Sequence, residues 1–566
     1  MQKTHIQMMA LILALSLLFA LSACGTPDNS ANSIQQSTIS PPEPDAQVES
    51  PSPAEEVLSS AETSVSEPQT GDLYPIYDEL TTVDAFIAVG GFIQPYLNND
   101  FNNIVAMQAA EQATNLHVDW SYVDQDMFLE KFQLLVASED YPDIWAALEN
   151  FYVGGTDALV NDGVCVDIVP YLDTCMPDYK AMLDSDELLT KMLTSDSGYM
   201  STISGRNVLV NQGGEIRKDW LDDLGLDIPK TYDELHTVLT AFKHEKGARN
   251  AILFLKDPFY QNGWLSGGYG VNGGGTDGEL PWQLQTDGTT VACSFTEPGY
   301  EEYLTMLSSW YQEGLFTDDF IGSNNPDLQG FVLSDSAGFW YGATDMLGNN
   351  FTSQLSAPNA EIIAISDMTR TGTETIALGG SRGVKGDGGW AVSGQCEDPG
   401  AVLTYMNWFF TEEGTQLCNW GTEGDTYTVQ SDGSYAFTDK ILNNEGMSTF
   451  ITLALYTTYF DCPFDLKPER KLATFSNDNE RESFELWTAN RSEDQVYQGT
   501  LTQEEGQIYS QHIGDIATFA YENMVKFIIG DRPMDEYQSF VDELYSMGLQ
   551  DLIDLKQAAY DRYAAR

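Results

Sequence analysis

Positive charge is scarce in this sequence: 26 Lys and Arg stand against 86 Asp and Glu over 566 residues, a net charge of −60. A surface of that sign repels phosphate backbones and anionic lipid headgroups, which argues against nucleic acid and charged membrane surfaces as partners. Its plainest role is to keep a secreted chain soluble. Histidine is scarcer still. The five histidines, His5, His117, His236, His244 and His512, include no pair at a metal-ligand spacing such as H-E-x-x-H. No EF-hand loop, Walker loop or dinucleotide fingerprint is present either, so no cofactor and no metal site are expected. The seven cysteines contain no C-x-x-C pair. Cys24 aside, Cys165, Cys175, Cys293, Cys396, Cys418 and Cys462 remain, and spacing alone does not fix their pairing. Past the N-terminal region no apolar run is long enough to span a membrane, and no internal repeat is found.

What is present begins with an export signal. Lys3 precedes an apolar run from Met8 to Ala20, followed by Leu21-Ser22-Ala23-Cys24-Gly25. The run is too short to cross a bilayer. Small residues before a cysteine suit a lipoprotein signal peptidase, so residues 1–23 are expected to be removed and Cys24 to carry the lipid. This places the protein on the outer face of the cell membrane. Residues 24–78 are then rich in Ser, Pro, Glu, Gln and Thr and almost free of large apolar residues. Such a segment cannot offset its ordering entropy by burial, and it reads as a disordered tether.

The remaining body of about 490 residues is long enough for two or more domains. Ala85 to Val89 reads as a buried strand, 100–114 as a helix and His117 to Tyr122 as the next strand. Phe128, Phe132 and Leu135 mark a helix face, with Leu129 and Val136 alongside, and Asp143-Ile144-Trp145 is the third strand. Strands alternating with helices predict a largely parallel sheet, whose ligands sit beyond the carboxyl ends of the strands. Pro229-Lys230-Thr231-Tyr232-Asp233-Glu234 carries a capping box, with Thr231 as cap and Glu234 three residues on. Helices are also predicted over 299–313 and near the C-terminus, where Tyr537, Phe540, Val541, Leu544 and Tyr545 recur at helical spacing.

Several segments carry a family resemblance. They are Tyr141-Pro142-Asp143-Ile144-Trp145, the run Ile216 to Leu226 followed by Pro229, Thr231, Asp233 and Glu234, then Trp310-Tyr311-Gln312-Glu313-Gly314-Leu315 and Gly389-Trp390-Ala391-Val392-Ser393. Thr411-Glu412-Glu413-Gly414 and the run Asn419 to Tyr427 complete them. With these, the chain resembles the extracellular solute-binding lipoproteins of carbohydrate ABC importers, the superfamily that includes maltose-binding protein, in its larger Gram-positive subgroup. The resemblance implies an α/β fold of two lobes joined by crossing strands, with ligand held between them. By chain order the first lobe is expected over 79–208 plus 355–435 and the second over 209–354 plus 436–566. The partners implied are a carbohydrate and the permease subunits of an importer, the binding protein itself being a monomer. The Gly-rich stretch from Gly267 to Gly275 departs from the pattern and leaves the shape of the second lobe's wall open.

Sugars present apolar C–H faces and rings of hydroxyls, so their sites combine flat aromatics with carboxylates and amides. By the resemblance, Trp145, Trp264, Trp340 and Trp390 fall at cleft-facing ends, with Tyr341 beside Trp340. Asp143, Asp345 and Asp387 are the candidate acceptors for hydroxyls. For each Trp the competing reading is core packing, for Asp143 a turn tie, and for the other two acids simple solvation. Trp220, Trp310, Trp408 and Trp420 lie in helical or turn signatures and read as core. Arg217 and Asp219 read as tying their own segment.

An enzyme is the rival class. Gly379-Gly380-Ser381-Arg382-Gly383 fits the G-x-S-x-G pattern, but that elbow needs a helix directly after the serine and a later triad histidine. Val384 to Gly389 is Gly-rich and runs into the Trp390 strand instead, so no catalytic residue is assigned. A glycosidase would need two carboxylates about 5–10 Å apart, a pair that 86 acids supply by chance. An adhesin or sensor that binds glycan without transport would share every feature above.

Overall fold

Strands, most of them buried at nearly every position, make up two separate sheets, each covered on both faces. The computed structural model describes residues 73–566 except 147, 150, 207–211, 257–264, 274–278, 324–326, 358, 375, 377–387, 445–446, 490–496 and 498. The first sheet runs in the order β2-β1-β3-β11-β4, with β1 Thr81–Ala88, β2 Leu116–Val123, β3 Ile144–Ala146, β4 Thr202–Ile203 and β11 Trp390–Val392. β1 is parallel to β2 and β3, whereas β11 is antiparallel to β3 and β4. The second sheet runs β10-β5-β9-β6, with β5 Gln212–Arg217, β6 Asn250–Leu253, β9 Ala337–Ala343 and β10 Ile362–Ile365. These sheets are the centres of two lobes within one contiguous unit from Pro68 to Arg566. The remaining strands form two small hairpins, β7 Trp282–Leu284 with β8 Val291–Cys293, and β12 Tyr427–Val429 with β13 Tyr435–Phe437.

Side-chain alternation sorts the first sheet into two cores. Ala85, Ile87, Ile144, Trp390 and Val392 face one way, against Trp408 and Phe409. Phe86, Trp145 and Ala391 face the other way, against Phe128 and Phe132 of the helix Gln125–Ser138. Local signals operate as the sequence predicts. Thr231 and Glu234 form both halves of a capping box at the start of the helix Tyr232–Glu245, and Trp220, Trp310, Trp408 and Trp420 are buried.

Two segments lie differently from the chain-order expectation. β10 pairs with β5, Ile362 opposite Arg217 and Ile365 opposite Gly214, so this part of 355–435 belongs to the second sheet. Conversely Ala454, Tyr459, Cys462 and Phe464, from the span 436–566, pack into the first lobe's core. Pairing partners more than a hundred residues apart leave no trace in local periodicity, so sheet membership was not readable from chain order. The six described cysteines form no disulfide.

Candidate functional site

The register shows which sheet edges meet the crossings between lobes. β4 ends at Ile203, which lies opposite Trp390, and Trp390 lies opposite Ala146, so the carboxyl ends of β1, β3 and β4 share one edge of the first sheet with the start of β11. In the second sheet Gln212 lies opposite Ala343 and Gly214 opposite Ile365, which puts the carboxyl ends of β9 and β10 beside the start of β5. The chain therefore crosses twice between carboxyl edges, from β4 to β5 and from β10 to β11. That is where an open α/β sheet places its ligand.

A third strap, from Thr457 to Asn477, runs from the first lobe's core to the helix Asp478–Ala489, which packs on the second sheet. Arg206 fastens it by a bidentate pair to Asp465, with Nε and Nη2 at 2.8 and 2.7 Å from the two carboxylate oxygens. Burial pushes the Asp465 carboxyl up, but hydrogen bonds from Arg206 and Lys467 outweigh it and hold the pKa below its ordinary value. Asn419 adds two bonds, donating to the Asp465 carbonyl at 3.0 Å and accepting from Lys467 N at 2.8 Å.

Two cavities adjoin the first sheet's carboxyl edge. The smaller, about 210 Å³, is lined by Ala88, Ala146, Phe151, Trp390, Tyr459 and Asp461 among others. The larger, about 390 Å³, takes walls from both lobes: Glu149, Asp157 and Ser195 on one side, Glu279, Tyr509 and Lys556 on the other. Its volume is in the range that holds small ligands. Thr202 Oγ1 of β4 donates to Glu149 Oε2 at 2.6 Å, which ties this wall to the sheet edge. Opposite, Glu279 accepts from Trp282 Nε1 at 2.7 Å and from the Tyr509 hydroxyl. Lys556 Nζ lies 3.9 Å from Glu279 and 4.5 Å from the centre of the Tyr509 ring. Burial lowers the Lys556 pKa while Glu279 opposes the shift. At the rim the lobes are clasped by ions: Asp196 of the first lobe pairs with Arg562 at 2.5 Å and Arg566 at 2.9 Å, and Arg562 also holds Glu505 at 2.6 Å.

The predicted residues fare unequally. Trp145 and Trp390 cannot face one ligand together, because Trp145 lies opposite Ala391 and so points to the opposite face of the sheet from Trp390. Trp145 is fully enclosed, edge-on to Phe132 and Tyr141. Trp390 is 2 % exposed, packed on Trp120 and Phe409, and offers the small cavity only part of its ring. Trp340 is fully buried in the second lobe, and Tyr341 is half-buried on the opposite face. Asp143 stands at the amino end of β3, the edge away from the crossings. There Asp84 and Asp143 exchange backbone-to-carboxylate bonds of 3.1 and 3.2 Å, a tie to the neighbouring strand β1 and not within Asp143's own turn. Asp345, just past β9, is at the crossing edge and keeps solvent contact; partial burial raises its pKa and Lys471 opposes the shift. Arg217 is spent on Asp219 and Asp335. Trp264, Asp387 and Cys24 lie outside the described residues. Sequence reading missed Glu149, Glu279, Tyr509 and Lys556, which no motif joins.

Glu215 is wholly buried, with Oε2 accepting from Trp340 Nε1 at 2.8 Å and Oε1 unpartnered among the described residues. Burial holds its pKa well above the ordinary 4.5. The folded state thus favours the neutral acid, whose stabilising effect is complete below the unfolded pKa and fades as pH rises through the folded one. Stability is expected to fall across this window with a slope of up to about 1.4 kcal/mol per pH unit. Glu215→Gln, which still accepts from Trp340, is expected to flatten that profile in urea unfolding between mildly acidic and mildly basic pH. An equal loss in both proteins would mean that Glu215 is ionised in the fold.

Among the described residues no group of three or more His, Cys, Asp or Glu is placed to hold a metal ion, and no helix is long and apolar enough to cross a membrane. Residues 94–416 match the model of the bacterial extracellular solute-binding protein family. The fructooligosaccharide ABC transporter substrate-binding protein FusA of Streptococcus pneumoniae serotype 4 is 30% identical over 185 residues, 31% of this chain and 33% of that protein. The chain's match thus spans only a third of that relative's length. Lipoprotein LipO of Bacillus subtilis is 25% identical over 362 residues, 61% of this chain and 69% of its own. The polygalacturonan/rhamnogalacturonan-binding protein YtcQ of the same organism is 24% identical over 336 residues, 58% and 65% of the two chains. Among solved structures, alginate-binding protein AlgQ2 superposes with a TM-score of 0.68 at 20% identity over 86% of this chain and 99% of its own. An HMO-binding, ABC-transporter-associated solute-binding protein of Bifidobacterium longum infantis gives 0.69 at 17% identity, with the same coverage. These two likenesses show the fold.

Proposed function

The chain belongs to the family of bacterial extracellular solute-binding proteins, and from that membership and the geometry of the cleft we propose that it captures an oligosaccharide between its lobes and delivers it to an ABC importer. The observation that carries the proposal is the cavity of about 390 Å³ walled by both lobes, with carboxylates, hydroxyls and one ammonium turned toward it. Such groups satisfy sugar hydroxyls, while a ligand touching both walls stabilises the closed arrangement over an open one. The relatives named for fructooligosaccharides and polygalacturonan bind chains of several sugars, which supports an oligosaccharide. Four acids, Glu149, Asp157, Asp196 and Glu279, share the cavity with Lys556, and the chain's net charge is −60, so a neutral saccharide is favoured over a uronate. Trp390 and Asp345 remain the proposed contacts among the predicted residues, joined by Glu149, Glu279, Tyr509 and Lys556. The lobes on this reading are about 79–203 plus 390–466, and 212–365 plus 478–566.

Thermal shift against a panel of neutral and acidic oligosaccharides tests this, because a ligand that binds only the native state raises its stability. Small-angle scattering tests closure. The bound sugar should be recovered chemically unchanged, as expected of a binding protein; steady release of smaller products by the pure protein would make it a glycosidase instead.

The anchor is proposed at Cys24, where the apolar run and Leu21-Ser22-Ala23 precede the cysteine. Cys24→Ser is expected to move nearly all of the protein into the medium. A mutant that stays with the membrane in high salt, after the cell wall has been removed, would place the attachment elsewhere.

A further inference from the structure

Three phenylalanines that line neither of the two cavities sit together beside the strap, next to Tyr459 and Asp461 of the smaller one. Phe92 is 43% exposed and Phe450 51%, and their ring centres lie 5.5 Å apart. Phe460, half-buried, completes the group at 5.3 Å from Phe450 and 6.2 Å from Phe92, its plane within 12° of the latter. Single exposed apolar residues need no explanation, but a contiguous exposed aromatic surface does.

The fold holds these rings in place. Phe92 follows the carboxyl end of β1 by four residues, and its ring occupies the space where a β-carbon on Gly90 would lie, 2.3 Å from the nearest ring atom. Gly90 N donates to the Tyr459 hydroxyl at 2.9 Å, which pins the strap to this loop. Along the strap, Tyr459 and Asp461 line the cavity of about 210 Å³. Phe460, between them, turns away to Phe92 and Phe450. Phe450 stands in the first turn of the helix Thr449–Tyr456, which Ser448 caps.

We infer that Phe92, Phe450 and Phe460 form an open stacking surface for the apolar face of a sugar ring belonging to a chain whose other residues lie in the cleft, so that affinity grows with chain length. The inference rests on the saccharide reading of the cleft. Phenylalanine has no hydrogen-bonding group, so these rings read C–H faces and not hydroxyl patterns, and their contribution is length-dependent rather than stereospecific. Continuity through the Tyr459–Asp461 strap with the cavity of about 210 Å³ at the first sheet's carboxyl edge favours a sugar over a protein partner.

The test uses the full chain and length series of neutral fructo-, malto-, xylo- and manno-oligosaccharides. Calorimetry on wild type identifies the series bound, and the same series is then titrated into Phe92→Ala/Phe450→Ala, whose exposed side chains cost little folding stability. Thermal unfolding of the ligand-free variant checks that the body is intact. The wild-type affinity is expected to climb about ten-fold from the shortest binder to the longer members, and the double variant to lose that climb while holding the shortest member within about two-fold. A variant that follows wild type at every length overturns the inference alone, and transport lost with binding intact would assign the surface to an importer subunit. Equal loss at every length also overturns it, placing the rings in the cleft proper. If wild type binds no series, the saccharide reading fails and the inference with it.

Discussion

Trp340→Ala is expected to lower the unfolding temperature by roughly 6–20 °C, following from a loss of about 3–5 kcal/mol in a lobe of this size. The ring is fully buried on β9, between Glu215 of β5 and Leu253 of β6, and shares its core with Leu347 and Trp487. Removing it opens a cavity that backbone hydrogen bonds on both sides keep from collapsing. It also strips the Glu215 carboxyl of its Trp340 donor, a buried polar loss of about 1–3 kcal/mol. Trp340→Phe keeps most of the volume and should lose chiefly that second part. Scanning calorimetry separates the two variants. A Trp340→Ala protein that melts within about 2 °C of wild type but no longer binds saccharide would return this ring to the ligand site.

Gly205→Ala is expected to be the most damaging glycine-to-alanine change among the described residues. A β-carbon there would stand 1.5 Å from the Phe464 carbonyl oxygen and 2.4 Å from its carbon. Overpacking usually costs about 1–3 kcal/mol, and more when the obstacle is backbone and not a pliant side chain. Relief requires moving the strap that Arg206 holds through Asp465, and Gly388 presses on the same strap, its β-carbon position 2.2 Å from Asp461 Cα. Two signs should therefore appear together: a lower melting temperature and, in the fraction that folds, a changed radius of gyration in ligand-free scattering. Gly514→Ala is the control. It sits inside the helix Gln503–Ile529 with nothing within 4 Å of its β-carbon position, so it should be neutral or stabilising by up to about 1 kcal/mol. Wild-type melting for Gly205→Ala would mean that the strap does not pass where the structure has it.

Local sequence sufficed wherever a local force decides. Thr231 and Glu234 satisfy orphan amides within one turn, and the capping box forms as expected. Strand, helix and strand between Thr81 and Ala146 follow from apolar spacing, and the four tryptophans in helical or turn signatures are core. The family segments carried the two-lobed α/β architecture in the same way.

Side-chain direction in the central strands was beyond that reach. β3 and β11 are three residues each in a sheet covered on both faces, so every position is apolar and no alternation marks which way a ring points. Only the pairing of Trp145 with Ala391 shows that Trp145 and Trp390 part to opposite cores. The cleft was hidden for a related reason. Glu149, Glu279, Tyr509 and Lys556 come from four distant segments, and each is an ordinary residue where it stands. Among 86 acids, only the folding of two lobes against each other decides which three or four meet at one cavity. Sequence fixes what a residue can do within a turn of helix or along a strand; which residues act together is set by contacts hundreds of positions apart, whose energy exists only once both lobes are built.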